Sequence, residues 1–323
     1  LVGRAKRSFL TNSWVGALMT NRDSTIEGDY NRVYGADARL LFYGNRLGID
    51  SFILRSATPD LTDRDQARQF EVGWRDTELV VAGGYNSVGT NFNPEVGFVR
   101  RRDNTRYNGQ FAFNPLINSS VGIENLTFGA NWDYYENGTT EQVETRELRF
   151  NAGVRMQDGG SITFNMNETF DRLTEPFDIR SNIQIAAGDY KYRRYSTRVT
   201  TDTSDRISGN ATYEWGEFWN GDRSSFGSGL DLKASPNLRV ALEYDRNRVD
   251  LPNGKFTTDL VASRFDYAFS PYTFLNAFVQ YNADRQQVSS NIRFRYTYRP
   301  LSDIFIVYND IRDTDQGQLV QRT

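Results

Sequence analysis

Apolar and polar residues alternate one by one along this chain, in segments of about ten residues separated by short runs of Gly, Pro, Asn, Asp and Ser. Leu126, Phe128, Ala130, Trp132 and Tyr134 alternate with Thr127, Gly129, Asn131 and Asp133. Leu148, Phe150, Ala152, Val154 and Met156 stand opposite Arg149, Asn151 and Arg155. Leu238, Val240, Leu242 and Tyr244 alternate with Arg239, Ala241, Glu243 and Asp245, and Ile292, Phe294, Tyr296 and Tyr298 with Asn291, Arg293, Arg295 and Thr297. A period of two predicts β-strands with one wet and one apolar face. About ten residues is also the length with which a tilted strand crosses a bilayer. A soluble β-sandwich shows the same period, so alternation by itself leaves both architectures open.

The connections separate them. Tight turns are predicted near Gly44-Asn45, Asp76-Thr77, Asp158-Gly-Gly160, Ser235-Pro-Asn237, Ser270-Pro-Tyr272 and Arg299-Pro-Leu301. Between them fall connections around 23–31, 58–66, 89–103, 173–188, 219–223, 250–255 and 312–317, several of them much longer. In an up-and-down meander every second connection lies at the same end, so one end carries short turns and the other carries the longer loops. Outer-membrane barrels have that polarity, and Greek-key sandwiches need not. The expected fold is all-β: an antiparallel up-and-down transmembrane β-barrel of about 18 strands, within a range of 16–20, forming one domain over residues 1–323.

Composition agrees with wet and apolar faces on the same strands. The mean hydropathy is −0.63, yet the chain carries 22 Phe, 18 Tyr and 5 Trp. Trp132, Tyr134, Tyr213, Trp215, Trp219, Tyr267, Phe269, Tyr296 and Tyr298 lie toward strand ends on the apolar face and are candidates for aromatic girdles at the lipid interface. The 38 basic and 41 acidic residues are interspersed, so no single-sign block marks a nucleic-acid surface. No apolar run approaches the roughly 20 residues of a membrane-spanning helix. There is no signal peptide at Leu1, and the chain reads as a fragment of a longer protein, ending at Thr323 where a last strand with a terminal aromatic is expected.

With no Cys and no His, the chain lacks disulfides, Ser-His and Cys-His nucleophile pairs and His-ligated zinc. No carboxylate pair, Glu141 and Glu144 included, stands out from surface charge, so no enzyme activity and no cofactor are expected. Asp60–Asp65 and Asp310–Asp315 are oxygen-rich but lack EF-hand spacing and read as solvated loops.

Phe92-Asn-Pro-Glu-Val-Gly-Phe98, followed by Arg100 and Arg101, resembles a bacterial family of unknown function, the DUF5916 family. Further resembling stretches are 31–39, 249–260, 274–282, 299–303 and 307–309, in order along nearly the whole chain. The resemblance implies a C-terminal outer-membrane barrel that follows a carbohydrate-binding-like (family 9) β-sandwich, which is absent from this chain.

Three sets of residues are candidates for function. The 91–103 segment, with Asn93, Pro94, Glu95, Arg100, Arg101 and Arg102, is either an inward-folded constriction that selects anions or a loop pinned to its own wall by salt bridges. Arg149, Arg155, Arg239, Glu243, Arg293 and Arg295 are expected to face the lumen, as channel lining or as bracing. The aromatics above are the third set. The leading expectation is a bacterial outer-membrane barrel acting as a passive pore or as the anchor of an exported domain or partner. A blocked barrel whose long loops bind surface glycan or a protein complex is the alternative, and a soluble carbohydrate-binding β-protein the third. Expected partners are outer-membrane lipid or lipopolysaccharide, and an N-terminal glycan-binding-like domain or a periplasmic or surface protein.

Overall fold

The computed structural model describes residues 1–117 and 121–314; the stretch up to Thr323, where a last strand is expected to begin, and the end of the connection expected around 312–317 lie outside the described residues. Strands β1 to β10 are Val2–Phe9, Ser13–Asp23, Tyr30–Phe42, Leu47–Ala57, Gln66–Arg75, Leu79–Val88, Asn104–Phe113, Ile123–Asn137, Val143–Met156 and Ser161–Leu173. Two short strands follow, β11 (Phe177–Arg180) and β12 (Ile183–Ile185). Strands β13 to β20 are Gly188–Thr200, Ile207–Phe218, Gly221–Ser235, Leu238–Leu251, Gly254–Ser270, Thr273–Asn282, Gln287–Arg299 and Ser302–Asp313.

From β1 to β10 each strand pairs antiparallel with the next. The ladder then passes from β10 to β13 and runs on to β20, giving eighteen strands in one up-and-down sheet, with β11 and β12 as a separate hairpin. This is the meander that the sequence of strands and connections predicts. The sheet curls into a barrel. Arg180, in the connection after β10, reaches Asp284, in the connection after β18, across six inter-strand spacings that would measure roughly 29 Å in a flat sheet. Among the described residues no ladder joins β20 to β1.

Register fixes the faces, because residues paired across antiparallel strands share a side. Val81, Phe111, Ala130 and Phe150 form one outward row, and Leu232, Val240, Phe265 and Ala277 form another. On β17 the outward apolar side chains run from Val261 to Phe269. At about 3.3 Å per residue and a tilt near 40°, that run covers about 20 Å along the barrel axis. The opposite face carries Ser, Thr, Asn, Gly and charges on most strands, as in Thr163, Asn165, Asn167 and Thr169 of β10 beside Arg198, Ser196, Arg194 and Tyr192 of β13.

One end has the turns β3–β4, β5–β6, β9–β10, β15–β16, β17–β18 and β19–β20, all short. Three of these contain Pro236, Pro271 or Pro300, and the register shifts by one residue just before each of them. Proline cannot donate to the ladder, so the pairing is interrupted where it enters the turn. The 114–122 connection at this end is an exception that the turn signals do not reveal. At the other end, the predicted loops at 219–223 and 250–255 are two-residue hairpin turns, Trp219-Asn220 and Pro252-Asn253. Trp219 takes the left-handed conformation there, with φ 55°.

Candidate functional site

Two connections at the long-loop end turn into the barrel, and they define the site. The first, between β6 and β7, begins at Gly89. A Cβ at this position would meet the Arg64 carbonyl oxygen at 1.8 Å, so a residue without one allows the chain to bend inward against the neighbouring 58–65 connection. Phe92 is then buried against Val33, Ala67, Leu18, Phe52, Leu54 and Val88, all on the inner face of β2 to β6. Polar groups fix the rest. Asn31 Nδ2 donates to the Asn93 carbonyl at 2.7 Å, and Asn93 N donates to Ser56 Oγ at 2.9 Å. Asn31 and Ser56 are each about 1% exposed, so these bonds form away from water.

The candidate residues of this segment go to the wall. Glu95 pairs with Arg22, which also forks onto Asp29 with bonds of 2.9 and 2.8 Å. The Arg22 hydrogen bonds hold the Asp29 carboxyl below its ordinary range. Arg101 pairs with Glu144 and stacks on Tyr135, and Arg102 donates to Asn93 Oδ1 at 2.9 Å. Pro94 is half-buried and accepts from Gly97 N through its carbonyl, and Arg100 is exposed with no ion pair among the described residues. The geometry is that of a loop tied to its own barrel wall.

The second connection, 174–187, folds as the β11–β12 hairpin and packs on the inner face of the opposite half. Ile185 (1% exposed) and Ile183 join Val249 (2%) and Leu251, with Phe256, Tyr190 and Leu173 at the edge. A Cβ on Gly254 would meet Ile183 Cδ1 at 3.0 Å, so glycine lets the β16–β17 turn close under the hairpin. Asn253 Nδ2 donates to the Gln184 carbonyl at 3.1 Å, and Arg180 pairs with Asp284. Trp219 belongs to this cluster, with its ring 5.3, 5.4 and 5.5 Å from those of Phe177, Tyr190 and Tyr192. Its expected place in a lipid-facing girdle is therefore corrected: the short turn brings it over the barrel mouth, where the infolded hairpin covers it. Sequence spacing gives no sign of this, because the hairpin comes from a segment about 40 residues earlier in the chain.

The remaining aromatic candidates lie on the outward face. Tyr85, Tyr107 and Tyr134 are neighbours in the register, with ring centroids 5.5 and 6.3 Å apart, and Trp132 adjoins Tyr134. Tyr195, Trp215 and Tyr213 stack in a second group. At the short-turn end Tyr267 meets Phe269 edge to face at 4.6 Å, and Tyr296 and Tyr298 are exposed. Beyond the aromatics at the long-loop end, the outward rows turn polar: Arg146, Phe170 and Lys191 in one row, Glu168 and Arg193 in the next, and Arg246 with Asp259 further round.

The six candidate lumen residues all face inward, but they do different things. Arg149 pairs with Glu147, and Arg239 with Asp231, beside the ladder pairs Arg4–Asp37, Arg39–Asp50 and Arg106–Asp133. Arg155 lies near the short-turn end with no ion pair among the described residues. Glu243 lines a groove of about 780 Å³ along β14 to β17, together with Asn210, Thr212, Gly227, Asp245 and Asn247. Cβ atoms at Gly227 and Gly229 would lie 2.8 and 2.7 Å from Asp245 and Asn210, so these glycines let the two side chains lie flat along the wall. Arg293 and Arg295, on β19, have no carboxylate partner among the described residues. Arg264, which the sequence reading passed over, is in the same condition on β17. Its strand alternates as clearly as the others, with Val261, Phe265 and Tyr267 facing outward, so the signal was present.

No family model and no curated protein matches this chain. Two solved structures of OmpT, an outer membrane protein of Vibrio cholerae, are similar to it at 12% identity. The in-vitro folded form gives a TM-score of 0.41 over 91% of this chain and 92% of that one, and the trimer form 0.43 over 96% and 97%. At that level the likeness carries no inference about what this chain binds or passes.

Proposed function

We propose that this chain is a bacterial outer-membrane β-barrel that acts as a passive pore, with its mouth narrowed by the two infolded connections. One observation carries the reading: eighteen strands enclose a polar inner wall, and the infolded segments pack against two stretches of that wall, leaving the short-turn half of β17, with β18 and β19, outside those clusters. Barrels of this strand number enclose more space than their own side chains fill. The outward apolar band of about 20 Å, bounded by aromatic residues, supports a membrane setting of outer-membrane thickness. The outward collar at the long-loop end, in which Arg146, Lys191, Arg193 and Arg246 outnumber the carboxylates Glu168 and Asp259 that pair with three of them, supports a leaflet of anionic headgroups, such as lipopolysaccharide, at that end.

A planar-bilayer recording of the purified full-length protein tests the pore: stable open steps support it, and silence with insertion verified by protease protection overturns it. Silence would favour the second reading, an anchor or blocked scaffold whose long loops bind glycan or protein, for which the hydrophobic closure of the β11–β12 hairpin is the supporting observation. We also infer, from the motif order beginning at Phe92, that the barrel is of the DUF5916 kind. On that reading a glycan-binding-like domain would be its natural partner.

A further inference from the structure

Arginines on the inner wall fall into two groups. On β1 to β9 four are held by carboxylates: Arg4 by Asp37, Arg39 by Asp50, Arg106 by Asp133 and Arg149 by Glu147. Arg155, at the short-turn end of β9, stands alone without a ring or a second free arginine beside it among the described residues. On β17 and β19, Arg264, Arg293 and Arg295 have none among the described residues, although acids are near. Asp266, across one intervening strand from Arg293 in the same inward row, accepts instead from Asn276 Nδ2 at 2.6 Å, and Asp303 accepts from Thr297 Oγ1.

Two of the three side chains are supported by rings. The Arg264 Cζ lies 5.6 Å from the Phe278 centroid, and the Arg295 Cζ lies 4.5 Å from that of Phe274, both rings being on the inner face of β18. A phenyl face orients a guanidinium without neutralising it. The Arg295 Nε is shut off from solvent and donates to nothing in the protein. No protein acceptor therefore compensates this nitrogen, and the part of the half-buried Arg295 guanidinium that a solute can meet is its exposed edge.

In the ladder, Arg264 and Arg293 are separated by one intervening strand and one step of two residues. Strand spacings of about 4.8 Å and a rise of about 3.3 Å per residue put their Cα atoms on the order of 12 Å apart, close enough for two extended arginines to converge on one small group. Guanidinium forks match the planar, multiply accepting oxygens of phosphates and carboxylates.

We propose that Arg264, Arg293 and Arg295 form an oxyanion site in the lumen, taking the phosphate or paired carboxylates of a small dianionic solute. Solutes reach the site through the mouth, so the proposal rests on the pore reading. It moves anion selection from the Arg100–Arg102 loop to the barrel wall.

The test is isothermal titration of inorganic phosphate, and separately of succinate, into the detergent-solubilised full-length protein at low salt. Bilayer reversal potentials in a salt gradient are measured in parallel. The variants are R264Q, R293Q, R295Q and their combination, with R149Q as a control from the paired wall, and each is checked for folding by heat-modifiable migration. Single substitutions are expected to weaken dianion binding by about tenfold, the value of one charge-assisted contact. The combination is expected to abolish binding and to lower anion preference, while R149Q binds like the parent. Tighter binding of phosphate or of succinate tells which oxyanion the site is built for.

Dianion binding that is absent in the parent, or equal in the parent and the combined variant, overturns the site even where the bilayer shows open steps. Binding lost in the combined variant while the bilayer stays silent upholds the site and overturns the pore. Even if the combined variant does not fold, the three single variants decide the matter by the same comparison with R149Q.

Discussion

The connection between β6 and β7 and the connection between β10 and β13 both turn into the barrel, yet different forces hold them. The first has one buried ring, Phe92, and otherwise depends on directed bonds from Asn31 and Ser56 and on ion pairs at Arg22 and Arg101. The second is seated by four buried aliphatic side chains under a roof of aromatics, with one ion pair at its rim. A segment held by hydrogen bonds to buried partners has a single position, because each bond is lost when the segment shifts. A segment held by apolar contact has a large but non-directional stabilisation, so it can be released as a unit. Either can narrow a mouth, but the second is better suited to leave it.

The largest effect that would sharpen this contrast is expected from Ile185→Asp. It places a carboxylate among Ile183, Val249 and Leu251, where the nearby cation of the hairpin, Arg180, is already paired with Asp284. A penalty on the order of 5 kcal/mol would expel the hairpin. In vesicles, trypsin should then cut at Arg180 while the strand ladder stays protected; a hairpin as resistant as the parent's would refute apolar seating.

Next in size is Phe92→Ala, expected to cost about 3 kcal/mol at the β6–β7 segment by emptying the space between Val33 and Ala67. Hydrogen exchange over 89–103 should rise while exchange over 174–187 does not, and equal changes in both would show that the connections are coupled. Ser56→Ala should cost about 1–2 kcal/mol, since it leaves the Asn93 amide without an acceptor. The same exchange experiment measures it, and no change would mean that the bond is replaced by water.

The smallest effect concerns acid. Asp29 is held below its free value of 3.8 by Arg22, so its contribution is complete above that value and is lost only as pH falls through the lower folded value. Protease protection of the 24–29 and 89–103 connections should therefore be the same at pH 7 and pH 5 and fall only below about pH 4. A loss between pH 7 and 5 would mean that other groups hold these loops.

Much of the architecture was legible because strand periodicity is a local property. The segment beginning at Leu238 lies in β16, and that beginning at Asn291 in β19, with inward and outward sets as the alternation requires. The long and short connections were legible where Pro, Gly and Asn mark turns, and less so at Trp219, where a two-residue turn stands in a segment that reads as a loop. The ties of the 91–103 loop to its wall were one of two readings left open by the local pattern, because Glu95 and Arg101 meet partners 73 and 43 residues away, Arg22 and Glu144. The β11–β12 hairpin was not legible, since nothing within 173–188 says what it packs against.

The sequence by itself determined which residues share a face, because a period of two puts Arg149, Arg239 and Arg293 on one side of their strands whatever the neighbours are. Only the tertiary structure decided which of them meet a carboxylate. Arg239 lies within reach of Asp231 on the adjacent strand, whereas Arg293 faces Asn276, which already holds Asp266. The difference is one of register and of contacts between segments far apart in the chain. A charge is paired or left free by what stands beside it across the sheet, and the residues before and after it do not carry that information.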